Sequence, residues 1–173
     1  MAEEHQGQRP KVGVGVIIHD NQGNIVMGER AGSHGAGTLQ CPGGHIEHGE
    51  TFAETAAREA LEETGLRVGN VKFLTTTNDV FVGEGGGPSK HFVTVFVTCT
   101  VVGGDMVPKP MEPENCAAWA WIPWRQMWAW AGEQAEAEKL GRDVGAGGGK
   151  KLFLPLVNLW REYPEMENVL VGR

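Results

Sequence analysis

The sequence predicts an α/β fold with helices on both faces of a mixed sheet. Three observations carry that prediction. Strand signals recur along the chain, at residues 12–18, 24–29, 71–82, 91–102 and 117–121, with alternation clearest in the first and fourth. One well-capped helix falls between the early and late strands, over about residues 52–64. Apolar residues at helical spacing from Lys151 to Trp160 place a further helix near the C-terminus. The regular strand–helix alternation of an all-parallel sheet is not seen.

Residues 1–10 read as a disordered lead-in, leaving 11–173 as a single domain. In the first strand Val12, Val14, Val16 and Ile18 alternate with Gly13, Gly15 and Ile17. The glycines leave one face nearly bare, which suits tight packing or a bulge, or else room for the base of a ligand. Asn21-Gln22-Gly23 reads as a turn that returns the chain as a hairpin through Asn24–Glu29. Gly32–Gly37 is a glycine-rich loop that runs into the extended piece Leu39-Gln40-Cys41-Pro42.

The helix that follows has its boundaries written into it. Thr51 and Glu54 form a capping box, and Gly65 stands where a left-handed residue ends a helix. Ala53, Ala56, Ala57, Ala60 and Leu61 form a small-residue face suited to close packing. Val71–Val82 reads as a strand with a bend, and Gly83–Pro88 as a loop. In His91–Val102, Val93, Val95 and Val97 face one way, and Phe92, Thr94, Phe96 and Thr98 the other. Ala117–Trp121 is a strand ending at Pro123, and Trp124–Leu140 is helical at least in part. Residues 126–149 read as an inserted, partly mobile segment that includes the linker Gly145–Gly149. The last helix has Pro155 near its start, where proline is tolerated.

The chain has 173 residues, enough for one domain with a real core. Its net charge is −7 with no run of Lys or Arg, which argues against a nucleic-acid polymer as partner. A nucleotide stays compatible, because a divalent cation can carry the phosphate charge. The N-terminus lacks the pattern of a signal peptide, and no stretch has the length of a membrane span. Cys41, Cys99 and Cys116 are odd in number and lack metal-ligand spacing, as expected of reduced thiols in a cytoplasmic protein.

Glu59, Glu62 and Glu63 occupy i, i+3 and i+4 of the capped helix and so share one face. Like charges at that spacing repel, and a hard divalent cation such as Mg²⁺ turns the repulsion into a binding site. A solvated acidic face is the ordinary account of such a cluster. The lead-in Pro42-Gly43-Gly44 favours the metal site, because adjacent glycines allow unusual backbone angles and close approach of a ligand. His45, His48 and His91 lack metal-ligand pairing and read as loop or strand-end histidines.

From Gly44 to Leu66 the sequence resembles the Nudix box, Gly-x5-Glu-x7-Arg-Glu-U-x-Glu-Glu-x-Gly-U, with U a bulky aliphatic. Gly44, Glu50, Arg58, Glu59, Glu62, Glu63, Gly65 and Leu66 match at the right spacing, and Ala60 departs at the first U. The resemblance extends over most of Lys11–Val171, through Val12-Gly-Val-Gly-Val16, Gly35–His45, Glu112-Pro-Glu114 and Trp119-x-Trp121-x-Pro123-Trp124. It is strongest to MutT-related nucleoside triphosphate diphosphatases, the group of the human thiopurine-nucleotide diphosphatase and its plant counterparts.

That resemblance implies an α/β/α sandwich, a homodimer, and Mg²⁺-dependent hydrolysis of nucleoside triphosphates to monophosphate and pyrophosphate. It implies metal ligands in Glu59, Glu63, Glu62 and the Gly43 carbonyl, with Mn²⁺ as a substitute ion. Glu63 is the expected general base and Glu62 the runner-up. Gln40 and Thr94 correspond to residues lining the base or sugar pocket, Arg30 to one near the phosphates, and Gly43 and Gly44 to the phosphate-side turn. Leu154 stands where the relatives carry a pocket tryptophan, and an aliphatic wall offers less stacking surface. Arg58 faces away from Glu63 and is assigned an orienting ion pair with Glu50. Hydrolysis of another nucleoside diphosphate conjugate, such as ADP-ribose, a nucleotide sugar or a dinucleotide, is the alternative within enzymes. A nucleotide-binding regulator with little turnover is the alternative of another class.

Overall fold

A computed structural model of the chain describes residues 9–32, 35–83, 89–144 and 149–170. The elements are β1 (Lys11–Ile18), β2 (Asn24–Arg30), β3 (Leu39–Gln40), β4 (Gly43–His45), α1 (Phe52–Thr64), β5 (Val68–Phe81), β6 (Lys90–Val101), β7 (Cys116–Pro123), α2 (Trp124–Lys139) and α3 (Leu154–Glu162), with a closing 3-10 turn at Pro164–Asn168.

The strands form a mixed sheet in the order β4-β1-β6-β5 and an antiparallel sheet in the order β3-β2-β7. β1 and β6 run parallel from Lys11↔Phe92 to Ile18↔Cys99. β5 lies antiparallel to β6, and its register shifts twice, between Gly69 and Lys72 and between Phe73 and Thr75. The bend expected in this strand is therefore present as bulges, which locally increase twist.

The expected β1–β2 hairpin does not form. The two strands belong to different sheets and touch through one isolated bridge, His19↔Ile25. Asp20 closes the turn between them by accepting the N–H groups of Gln22 and Asn24, each at 2.8 Å. Beyond that turn both edges of β1 are taken, one by β4 and the other by β6.

Both faces of β1 and β6 are packed. Val14, Val16, Ile18, Val95 and Val97 meet Ala56 and Ala60 of α1 in one core. Ile17 and Phe96 meet Trp124, Met127 and Leu156 of α2 and α3 in the other. This is the expected α/β/α layering. At about 0.8 kcal/mol per buried methylene, these two apolar layers are the main source of stability. The bare face of β1 is filled in part by protein, since a Cβ at Gly15 would lie 2.8 Å from the Phe96 ring.

Helix α1 has the predicted ends. Thr51 Oγ1 accepts the Glu54 N–H at 3.2 Å, Glu54 Oε2 accepts the Thr51 N–H at 2.7 Å, and Gly65 has φ +70. Its buried stripe is narrower than the expected alanine face. Thr55, Ala56, Ala60 and Thr64 are buried, whereas Ala53 and Leu61 are exposed.

Residues 126–139, the first part of the segment read as inserted, are helical, as expected in part for Trp124–Leu140. They continue α2, whose Trp124, Met127, Trp128, Ala131, Gln134 and Ala135 are buried at helical spacing. Residues 145–148 of the expected linker, residues 1–8 of the expected lead-in, and parts of the loops 32–37 and 83–88 lie outside the described residues. Among the described residues no helix is long and apolar enough to cross a membrane.

Candidate active site

Two local devices set the geometry of the site. The first is the Gly43-Gly44 turn in front of α1. Gly43 has φ +155, and a Cβ there would strike the Val14 carbonyl. A Cβ at Gly44 would fall on the Glu59 carboxylate. The two glycines thus leave a cradle into which α1 delivers its acids. Glu63 Oε2 accepts the Gly43 N–H at 2.9 Å.

The second device is Arg58. Its Nε donates to Glu50 Oε1 at 2.6 Å and its Nη2 to Glu50 Oε2 at 2.9 Å. Nη1 donates to Glu59 Oε1 at 2.7 Å and to Glu62 Oε2 at 3.3 Å, and Nη2 also reaches the His45 carbonyl at 3.1 Å. The structure therefore places the Arg58–Glu50 pair as expected and extends it to two of the three clustered glutamates. Hydrogen bonds from Arg58, then from the Glu47 backbone, hold Glu50 down to about 2.

The three glutamates differ sharply. Burial pushes Glu63 up to about 7 against the opposing Gly43 N–H. Burial also raises Glu59, against the pull of Arg58. Glu62 is turned outward with 52% of its side chain exposed. Among the described residues no three His, Cys, Asp or Glu side chains converge as a ready-made metal cage. The structure brings Glu59 and Glu63 to the glycine cradle and leaves Glu62 at its rim. Carboxylate oxygens on successive helical turns, crowded by burial and mutual repulsion, suit a hard divalent cation.

Two anchors hold the last turn of α1. The Glu63 carbonyl accepts the Met111 N–H at 3.1 Å and the Trp119 indole N–H at 3.0 Å. The strap that supplies Met111 also carries Glu112, whose charge contributes to raising both Glu59 and Glu63. Sequence reasoning did not single out Glu112 as a site residue, because its approach depends on a strap far from α1 in sequence.

Glu63 opens into a cavity of about 340 Å³, within the size range of small-molecule sites. Gly13, Gly15, Gly43 and Gly44 form its glycine side, and Arg30, Gln40 and Thr94 are polar members of its lining. Five of the expected binding residues are thus brought together. Leu154 is not. The lining instead includes Phe153, with Phe81, Phe92 and Phe96. Phe153 lies 5.2 Å from Phe81 between ring centroids, and the Arg30 guanidinium sits 4.2 Å above the Phe153 ring.

The reason for the shift by one residue is local anchoring. The Leu152 N–H donates to Gln134 Oε1 at 2.7 Å, and the Phe153 N–H donates to the Leu39 carbonyl at 2.9 Å. With those bonds made, the chain enters α3 with Phe153 at the cap and Leu154 already in the helix. Gly35 completes the fit, since a Cβ there would lie 2.9 Å from the Phe153 ring. His45 also lines the cavity, 5.5 Å from Phe92, and burial and then Lys11 depress its basicity. It is the last residue of β4, the strand-end position expected of it, and it is also part of the cavity wall.

The sequence matches the NUDIX domain family over residues 9–142. An ADP-ribose pyrophosphatase of Methanocaldococcus jannaschii is 35% identical over 98 residues, covering 56% of this chain and 54% of that protein. An RNA pyrophosphohydrolase of Shewanella denitrificans is 39% identical over 67 residues, covering 39% and 37%. The chain thus spans about half or less of the length of these relatives. The solved MutT NUDIX hydrolase from Burkholderia pseudomallei superposes with a TM-score of 0.59 at 25% identity, over 68% of this chain and 85% of that one. The MutT protein from Methanosarcina mazei Go1 superposes at 0.61 over 92% and 97%, and its 18% identity makes that a likeness of fold. With the match running through the glycine cradle and the acidic helix, the chain belongs to the NUDIX domain family.

Proposed function

We propose that this protein hydrolyses nucleoside triphosphates, dNTPs and modified purine nucleotides among them, to monophosphate and pyrophosphate in a divalent-cation-dependent reaction. The observation that carries the reading is that Glu63 opens directly into a cavity walled by Phe81, Phe92 and Phe153. An aromatic wall suits a base, and an acid cluster one side of it suits the phosphates.

Glu59 and Glu63 would hold Mg²⁺, or Mn²⁺ in its place, with Glu62 reaching in from the rim and the Gly43 carbonyl as a backbone ligand. When bound, the ion would neutralise phosphate charge and activate the water–phosphorus reaction. Glu63 would take the proton of the attacking water, with Glu62 as the other candidate base. Arg30, held over Phe153 and bonded through Nη1 to Gln40, would face the phosphates as a cation. Arg58 would keep Glu59 oriented without touching substrate.

The likeness to an ADP-ribose pyrophosphatase supports a second reading, in which the substrate is a nucleoside diphosphate conjugate. The test is product analysis with common and modified dNTPs, ADP-ribose, nucleotide sugars and dinucleotides, each with Mg²⁺ and with Mn²⁺. Pyrophosphate release from triphosphates supports the proposal, and cleavage confined to conjugates replaces it. Stabilisation by nucleotides without any product would assign a binding role instead. We propose further that the protein acts in the cytoplasm as a homodimer, which sedimentation would measure.

A further inference from the structure

Asp79 of β5 is fully buried, with 0% exposure, and does not line the cavity. Its Oδ2 accepts the Thr94 hydroxyl at 2.6 Å and the Thr77 hydroxyl at 3.0 Å. Its Oδ1 accepts the Asn158 side-chain amide of α3 at 2.8 Å. A carboxylate in a core is expensive unless such donors converge on it. Neither the acidic helix nor the sheet packing requires it.

Its consequence falls on Thr94, which does line the cavity. A hydroxyl has one proton to give, and Thr94 gives it to Asp79 Oδ2. The Thr94 proton is therefore spent on Asp79, and what the residue has left to offer the cavity is a lone pair. Arg30 and Gln40 line the same cavity, and Arg30 Nη1 donates to Gln40 Oε1. A guanidinium can only donate, so the amide of Gln40 is oriented as well, and the end not spent on Arg30 is its NH₂.

We infer that Asp79 is a specificity-setting positioning residue of the proposed nucleotide site, fixing Thr94 as an acceptor in the same cavity as the Gln40 donor. The cavity then selects nucleobases that present an exocyclic amino donor beside a ring or carbonyl acceptor. This rests on the reading of the site as a nucleotide pocket. A base with hydrogen in place of the amino group leaves the Thr94 acceptor buried without a donor, and an unmet buried polar group is discriminated against.

The experiment compares two pairs of deoxynucleotides that differ by one amino group. These are adenine against unsubstituted purine, and guanine against hypoxanthine. Relative kcat/KM is measured for the triphosphates, and binding of the corresponding monophosphates by calorimetry. Wild type is expected to favour the amino member of at least one pair by roughly 5- to 100-fold, the usual cost of one unmet buried group. In Asp79→Asn the side-chain amide can donate to Thr94, which frees the hydroxyl proton, and the preference should collapse toward unity. Thr94→Ser should keep the preference and Thr94→Val should lose it, so the Thr94 pair still decides if Asp79→Asn does not fold.

No preference in either pair for wild type overturns the inference. So does a preference that survives Thr94→Val, or an Asp79→Asn protein that weakens all four nucleotides equally, since a merely structural Asp79 would do that. Absence of turnover on every triphosphate sinks the proposed reaction alone, because monophosphate binding still reads the pocket's preference.

Discussion

Arg58 and Glu50 are joined by two parallel bonds, at 2.6 and 2.9 Å, and the same guanidinium reaches Glu59 at 2.7 Å. Glu50 is thus the fixed point from which Arg58 aims the Glu59 carboxylate of the glycine cradle. The geometry depends on a planar fork, which an ammonium cannot reproduce. Arg58→Lys is therefore expected to lower kcat/KM by about 10- to 100-fold, as loss of an orienting partner around a metal site does. Glu50→Gln should show a similar loss. Retention of wild-type activity by Arg58→Lys in a steady-state assay would show that the fork does not matter.

Glu63 has the converse problem, a carboxylate whose folded-state pKa is raised from 4.5 to about 7 by burial. The folded protein holds this proton more tightly than the unfolded chain. The contribution to stability is therefore complete below pH 4.5 and is lost as pH rises through about 7. In the metal-free protein, wild type should lose on the order of 2–3 kcal/mol relative to Glu63→Gln between those limits. Thermal melts in a chelator across that range check the slope. Adding Mg²⁺ above neutral pH should restore wild type and do little for the variant. Glu63→Gln should also abolish turnover while leaving the fold intact, and wild-type pyrophosphate release from it would remove Glu63 as the base.

Much of this site was legible because its signals are local. The Thr51/Glu54 capping box and the positive-φ Gly65 act within a few residues, and they fix the face on which Glu59 and Glu63 emerge. Strand partners are a different matter. Val14, Val16 and Ile18 announce a strand, yet whether β1 pairs with β2 or with β6 is decided by contacts some 80 residues apart in the chain, as at Val16↔Val97. Asp79 was invisible for the same reason, since its partners Thr94 and Asn158 come from elements remote in sequence. The role of Phe153 depends on Gln134 seizing Leu152, which no pattern in either segment reveals.

Gly44 isolates the cradle from backbone strain, because its φ lies outside the positive region while an added Cβ would meet the Glu59 carboxylate. Gly44→Ala should therefore fold and melt near wild type without metal, yet lose most of its stabilisation by Mg²⁺ and most of its activity. Gly43→Ala should instead be destabilised outright, because φ +155 and the Val14 carbonyl both oppose a side chain. Melting curves of both variants with and without Mg²⁺ separate the two effects. Full Mg²⁺ stabilisation of Gly44→Ala would mean that Glu59 does not need this space.

Phe153 and Leu154 offer the sharpest contrast, because adjacent residues are assigned opposite importance. Phe153 carries the ring under Arg30 and beside Phe81, whereas Leu154 begins α3 outside the cavity lining. If the pocket takes a nucleotide as proposed, removing the Phe153 ring takes away a stacking surface for the base and the seat of the Arg30 guanidinium. Phe153→Ala is therefore expected to cost about 1–3 kcal/mol in nucleotide affinity, the usual worth of a base–aromatic stack. The loss should appear mainly in KM, because the ring does not touch the reacting phosphate. Phe153→Tyr should keep most of the affinity, since the stacking face remains. Leu154→Ala should change KM less than twofold on the same scale, being away from the cavity. Equal effects of Phe153→Ala and Leu154→Ala on KM, measured on one nucleotide at one Mg²⁺ concentration, would return the wall to Leu154 and remove the aromatic argument for the substrate.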